Sequence, residues 1–157
     1  MKDGAGFWVF IGLLVIVHFF LHLTLGLDAR APDLLVVAVL LGARSLSGGA
    51  AAGLGFGLGL LEDAVSVAAF GAAAATFTII AYLGARTRDL MVGDSLVFVF
   101  VYVFIGKWAQ AAMYYGLAGG VRRGEPVEAL LMNAPLQAIY AAAAGLVAVG
   151  IYRAVQR

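Results

Sequence analysis

Residues 96–120 read LVFVFVYVFIGKWAQAAMYYGLAGG, and Lys107 is the one charge in them. A helix needs about 20 apolar residues to cross a hydrocarbon core ~30 Å thick, and this stretch supplies them. A lysine at the bilayer centre costs roughly 2.5–3.5 kcal/mol on insertion scales, so it belongs against protein groups and away from lipid. The stretch therefore reads as a membrane crossing whose single cation faces a bundle. Further apolar runs cover Phe7–Leu27, Leu34–Ala43, Ala50–Leu61, Ala64–Ala85 and Ala129–Tyr152, with only short polar segments between them. Of 157 residues, 64% are hydrophobic and 12% charged, against roughly 25% charged in a soluble domain. Too little polar surface is present to coat a water-soluble globule. The bilayer is the solvent for most of the chain.

The second and third runs are short. Leu34–Ala43 makes about 15 Å of helix at ~1.5 Å per residue. Asp33 at the interface and Arg44 snorkelling outward extend it to a full crossing. A re-entrant hairpin from Asp33 to Asp63 is the alternative. The expectation is an all-α integral membrane protein, one six-helix domain with crossings near 7–27, 33–44, 48–62, 65–85, 93–119 and 127–152. Lysine and arginine set its orientation. With both termini cytoplasmic, Lys2, Arg44, Arg86, Arg88, Arg153 and Arg157 face inward, and Arg30, Arg122 and Arg123 face outward. Arg44, Arg86 and Arg88 are expected to meet anionic lipid. A formal net charge of +1 and the lack of a basic tail give no reason to expect nucleic acid. Small residues at Ala29-Arg30-Ala31 have cleavage spacing, but Pro32 follows, and the preceding run exceeds the roughly 7–15 residues of a secretory core. Phe7–Leu27 is expected to be a retained helix.

Lipid gives helices no hydrophobic reason to associate, so close packing rests on small side chains and polar contacts. Residues 48–63, GGAAAGLGFGLGLLED, supply the small side chains. Gly49, Gly53 and Gly57 recur at i+4, and Gly55 and Gly59 form a second such pair. Two glycine faces place this segment inside the bundle, as generic packing or as a partner seam. The run resembles a phosphate loop only superficially, because no Lys-Ser/Thr follows it.

Lys107, Gln110 and Tyr114 share one helical face at i, i+3 and i+7. Asn133, Gln137 and Tyr140 form a similar stripe, and His18 and His22 stand one turn apart. In the orientation above all three stripes fall in the outer half of the membrane, level with Asp33, Glu62 and Asp63. The expectation is one outward-opening polar cluster, with Lys107 as its deep cation and Asp63 or Asp33 as counter-charge. Plainer roles exist. Lys107 can pack on carbonyls, Asn133 and Gln137 can join helices, and Asp33 and Asp63 can cap helix ends. The histidine spacing matches a metal-ligand pair, but histidines near a helix end read as interfacial, so neither metal nor cofactor is expected. Cysteine is absent, which removes disulfide, zinc-cluster and thiol chemistry. No nucleophile and base are identifiable by spacing, and no enzymatic activity is expected.

The stretch from Pro32 to Arg88 resembles the rod shape-determining MreD family of bacterial inner-membrane proteins. The resemblance rests on Pro32-Asp33-Leu34-Leu35, Arg44, the run Gly55-Phe56-x-x-Gly59-Leu60-x-x-Asp63, Ser66, Gly71 and Tyr82-Leu83 before Arg86. It implies a non-enzymatic subunit of the cell-wall elongation machinery in the inner membrane. Its implied partners are the bitopic protein MreC, the MreB filament, the RodA glycosyltransferase and RodA's partner transpeptidase. The family is also similar in fold to the S components of energy-coupling-factor transporters, which hold a small ligand in a pocket open to the outside. That likeness implies a second possible role, as a small-molecule-binding transporter subunit.

Overall fold

A computed structural model of the chain describes residues 4–24, 32–66, 69–87, 95–119 and 127–155. The described residues form six α-helices: α1 (Ala5–Phe19), α2 (Leu34–Ala43), α3 (Gly48–Val65), α4 (Ala72–Thr87), α5 (Leu96–Leu117) and α6 (Val127–Val155). A π-helical turn, Phe20–Thr24, continues α1. Three described stretches are long and apolar enough to cross a membrane: Ala5–Thr24, Leu96–Leu117 and Leu130–Val155.

The bundle buries an apolar core and also presents apolar side chains on its outer surface. Val9, Leu13 and Ile16 stand exposed along α1 and Phe20 on the turn that continues it, as do Val97, Val101, Ile105 and Trp108 along α5 and Val147, Ile151 and Val155 along α6. Among the described residues, the buried polar groups are His18, Asp63, Thr76, Lys107 and Gln110. Apolar stripes of this extent are untenable in water and ordinary against acyl chains.

Helix α2 is the central post. Every residue from Leu34 to Ala43 is buried, as expected of a helix that is apolar all round. It starts where Pro32 ends the preceding segment and Asp33 caps it, the Asp33 Oδ1 accepting from the Val36 N–H at 3.1 Å. It closes in a tight turn, with the Ser45 N–H donating to the Gly42 carbonyl at 3.1 Å. Ten residues of helix reach about 15 Å, half the hydrocarbon thickness. The post therefore fills one half of the bundle and leaves the other half to be lined by its neighbours.

The filled half is the arginine end. The Arg44 guanidinium lies 5.5 Å from the Phe98 ring centre and 5.7 Å from that of Tyr102. Arg86 stacks over Tyr82 at 5.4 Å and comes close to Gly48 at the start of α3. Phe7 meets Tyr152, one residue before Arg153, with ring centres 6.2 Å apart. Arg88 lies outside the described residues.

Helices α3 and α4 make the closest contact, and glycine makes it possible. A Cβ on Gly55 would lie 2.2 Å from the Phe77 carbonyl oxygen, and one on Gly59 would lie 2.4 Å from the Ala74 Cα. Asp63, one turn further, ends this face by accepting the Ala73 and Ala74 N–H groups on its two oxygens at 3.0 and 2.9 Å. Those are first-turn donors of α4 that lack intrahelical partners. Gly71, at φ +94°, makes the left-handed turn that admits α4. Two expectations change here. Only the Gly55/Gly59 face lies inside the bundle, whereas Gly49, Gly53 and Gly57 are exposed with nothing within 4 Å of an added Cβ. Positions 53 and 57 stand about 200° of helical rotation from 55 and 59 at 100° per residue, so one neighbour cannot cover both faces. Helix α4 begins at Ala72, later than the expected 65, because α3 runs on to Val65.

Candidate functional site

A cavity of about 400 Å³ opens above the N-terminus of α2, walled by α3, α4, α5 and α6. Of the sequence-selected cluster, Asp33, Glu62, Lys107, Gln110, Tyr114, Asn133 and Gln137 line it. Five helices contribute because the stripes were on facing sides, and because α2 stops short.

At the floor, the Lys107 ammonium lies 2.6 Å from Asp33 Oδ2 and 3.0 Å from Gln110 Oε1. The counter-charge is thus Asp33. Asp63 is 1% exposed and spends both oxygens on α4. Asp33 divides its oxygens between two tasks, Oδ1 capping α2 and Oδ2 holding the lysine. Beginning a buried helix on that aspartate places the partner of Lys107 at its depth, and Gln110, one turn along α5, completes the ammonium's shell.

His18 closes the wall between α1 and α2. Its Nδ1 accepts the Leu35 N–H at 3.4 Å, and its Nε2 lies 3.3 Å from Glu62 Oε2. The same Nδ1 lies 3.9 Å from Asp33 Oδ1, so the ring stands between two carboxylates. By accepting the Leu35 N–H, His18 serves as a second cap for α2. His22 stacks on it with ring centres 4.1 Å apart, and His22 Nδ1 donates to the His18 carbonyl at 2.9 Å. Both His18 nitrogens are engaged, which disfavours a metal at this pair.

Among the further lining residues, Phe77 and Tyr115 were not singled out in the sequence, and Ser66 entered only through the resemblance. Tyr115 adjoins the Lys107 stripe but falls off its i, i+3, i+7 spacing. Phe77 sits in an alanine-rich run between Thr76 and Thr78, with no charged neighbour to mark it. Tyr140, though in register with Asn133 and Gln137, is half exposed and lies outside the cavity lining.

Fold and site together define a helical, membrane-embedded protein with a polar-lined cavity at the end of the bundle away from Arg44 and Arg86. No family model, curated protein or solved structure matches the chain.

Proposed function

We propose that the chain is a non-enzymatic scaffold of the bacterial rod complex, an MreD-like subunit of the inner membrane that docks MreC. In this reading it couples MreB filaments to RodA and its transpeptidase, with no bond made or broken. The observation that carries the reading is the open face of α3. Gly49, Gly53 and Gly57 present bare backbone at i+4 spacing to the lipid, a surface suited to close approach by another transmembrane helix. The chain's own close packing uses the opposite face, so the two can be separated by mutation.

Gly57→Leu is the test. No atom lies within 4 Å of the added Cβ, so the variant should fold and insert as the parent does. Recovery of MreC on co-purification from native membranes should fall sharply. Undiminished recovery would count against the docking face.

The cavity favours a second reading, a small-molecule-binding subunit of a transporter. Retention of a small molecule through purification, and its loss in Lys107→Met, would support that role over the scaffold.

A further inference from the structure

We infer that a groove between α4 and α5 at the arginine end seats one anionic phospholipid, its acyl chain in the groove and its phosphate on Arg44. The inference needs only that the bundle sits in a bilayer, and it stands apart from which of the two functional readings holds.

The groove holds about 290 Å³. Its floor is Leu40 of α2 with Ile80 and Tyr102, all buried, and its rim is Leu83, Val101 and Ile105, all exposed. Two glycines recess the floor. A Cβ on Gly84 would strike the Tyr102 hydroxyl, and one on Gly106 would strike the Leu40 side chain. The hydroxyl-bearing residues of the lining are already employed. Tyr102 donates to the Leu40 carbonyl at 3.0 Å, and Thr87 to the Gly84 carbonyl at 3.2 Å. The walls therefore ask for an apolar guest.

Length and width say which one. Along α5 the groove runs from Phe98 to Ala109, about 16 Å at ~1.5 Å per residue. That matches one leaflet's half of a hydrocarbon core ~30 Å thick. An acyl chain enters from one face of the membrane and ends near the midplane. A partner helix traverses both leaflets and is ~10–12 Å across with its side chains, too broad for a groove of about 290 Å³.

Charge complementarity fixes the head. The Arg44 guanidinium lies 5.5 Å from the Phe98 ring centre and 5.7 Å from that of Tyr102, and both residues line the groove. Stacking engages the flat faces of a guanidinium, whereas its N–H donors lie in the plane, a fork that fits phosphate oxygens. Phe98 stands in the first turn of α5, the level at which headgroups meet the chain. A headgroup with net negative charge is favoured, because a choline ammonium offsets part of the attraction.

The test uses the full chain in phosphatidylcholine nanodiscs doped with a small fraction of phosphatidylglycerol that carries a diazirine along one acyl chain. After irradiation, peptide mass spectrometry maps the adducts. They should concentrate on Leu83, Val101 and Ile105 over the similarly exposed Leu13, Ile16, Val147 and Ile151. Phosphatidylcholine with the same diazirine chain should label the groove at least fivefold less, a difference of about 1 kcal/mol. Arg44→Gln should lower groove labelling by phosphatidylglycerol to a similar degree, and Arg153→Gln at the same end should not. Even labelling around the bundle, equal labelling by the two lipids, or equal losses in the two variants would overturn the inference. The comparison of lipids on the parent chain decides the matter even where Arg44→Gln fails to fold. In native membranes, p-benzoylphenylalanine at position 105 should yield lipid adducts. A protein adduct of discrete mass there would give the groove to a partner helix or a second copy, and would overturn the inference too.

Discussion

Lys107 is tolerated at its depth because Asp33 and Gln110 surround its ammonium. Removing one member of such a pair leaves a buried charge without a partner, a loss of roughly 3–5 kcal/mol. Lys107→Met should therefore destabilise the purified protein strongly in denaturant unfolding. The double variant Lys107→Met with Asp33→Asn should recover most of the loss, because asparagine still caps α2 while carrying no charge. By the same geometry a charge swap between Lys107 and Asp63 should rescue nothing. Asp63→Ala should cost about 1–3 kcal/mol by stranding two buried N–H groups, and Asp63→Asn should cost less, since its amide oxygen still accepts one of them. The sequence marked Lys107 as needing a partner through its apolar surroundings. It left Asp33 and Asp63 as equal candidates because both sit at helix ends on one level. What separated them was a backbone demand from the first turn of α4, and side-chain spacing carries no record of that.

At the scale of elements, α2 and the α3–α4 pair decide the architecture. The short apolar run after Pro32 was legible as a helix too brief for an easy crossing. Its place as the buried post was not legible, since a run that is apolar all round fits lipid or core equally well. The glycine spacing of α3 announced close packing but not which face would be used. That depended on Asp63 falling in line with Gly55 and Gly59. Gly59→Ala forces a Cβ to within 2.4 Å of the Ala74 Cα, a backbone clash, and should cost about 1–3 kcal/mol. Gly53→Ala, on the open face, should leave the thermal midpoint of the isolated chain nearly unchanged. Equal effects at 53 and 59 would mean that the two faces are not distinguished in this way.

For the molecule as a whole, apolar stripes outward and ion pairs inward make hydrocarbon the natural surroundings of this bundle. The arginines of α2 and α4 gather at the end filled by α2, and the cavity opens at the other. In the proposed orientation, with both termini inside, the lysine and arginine bias turns the cavity to the exterior side, within reach of a partner or a solute. The native chain contains no cysteine, so single cysteines can report on sidedness without background. The most direct measurement is labelling of Asn133→Cys and Gln137→Cys in the cavity wall, and of Ser45→Cys at the arginine end, with a membrane-impermeant maleimide on intact spheroplasts. The account predicts that the first two react from outside and that Ser45→Cys reacts only after permeabilisation. Labelling of Ser45→Cys from outside, with positions 133 and 137 protected until the membrane is opened, would contradict it.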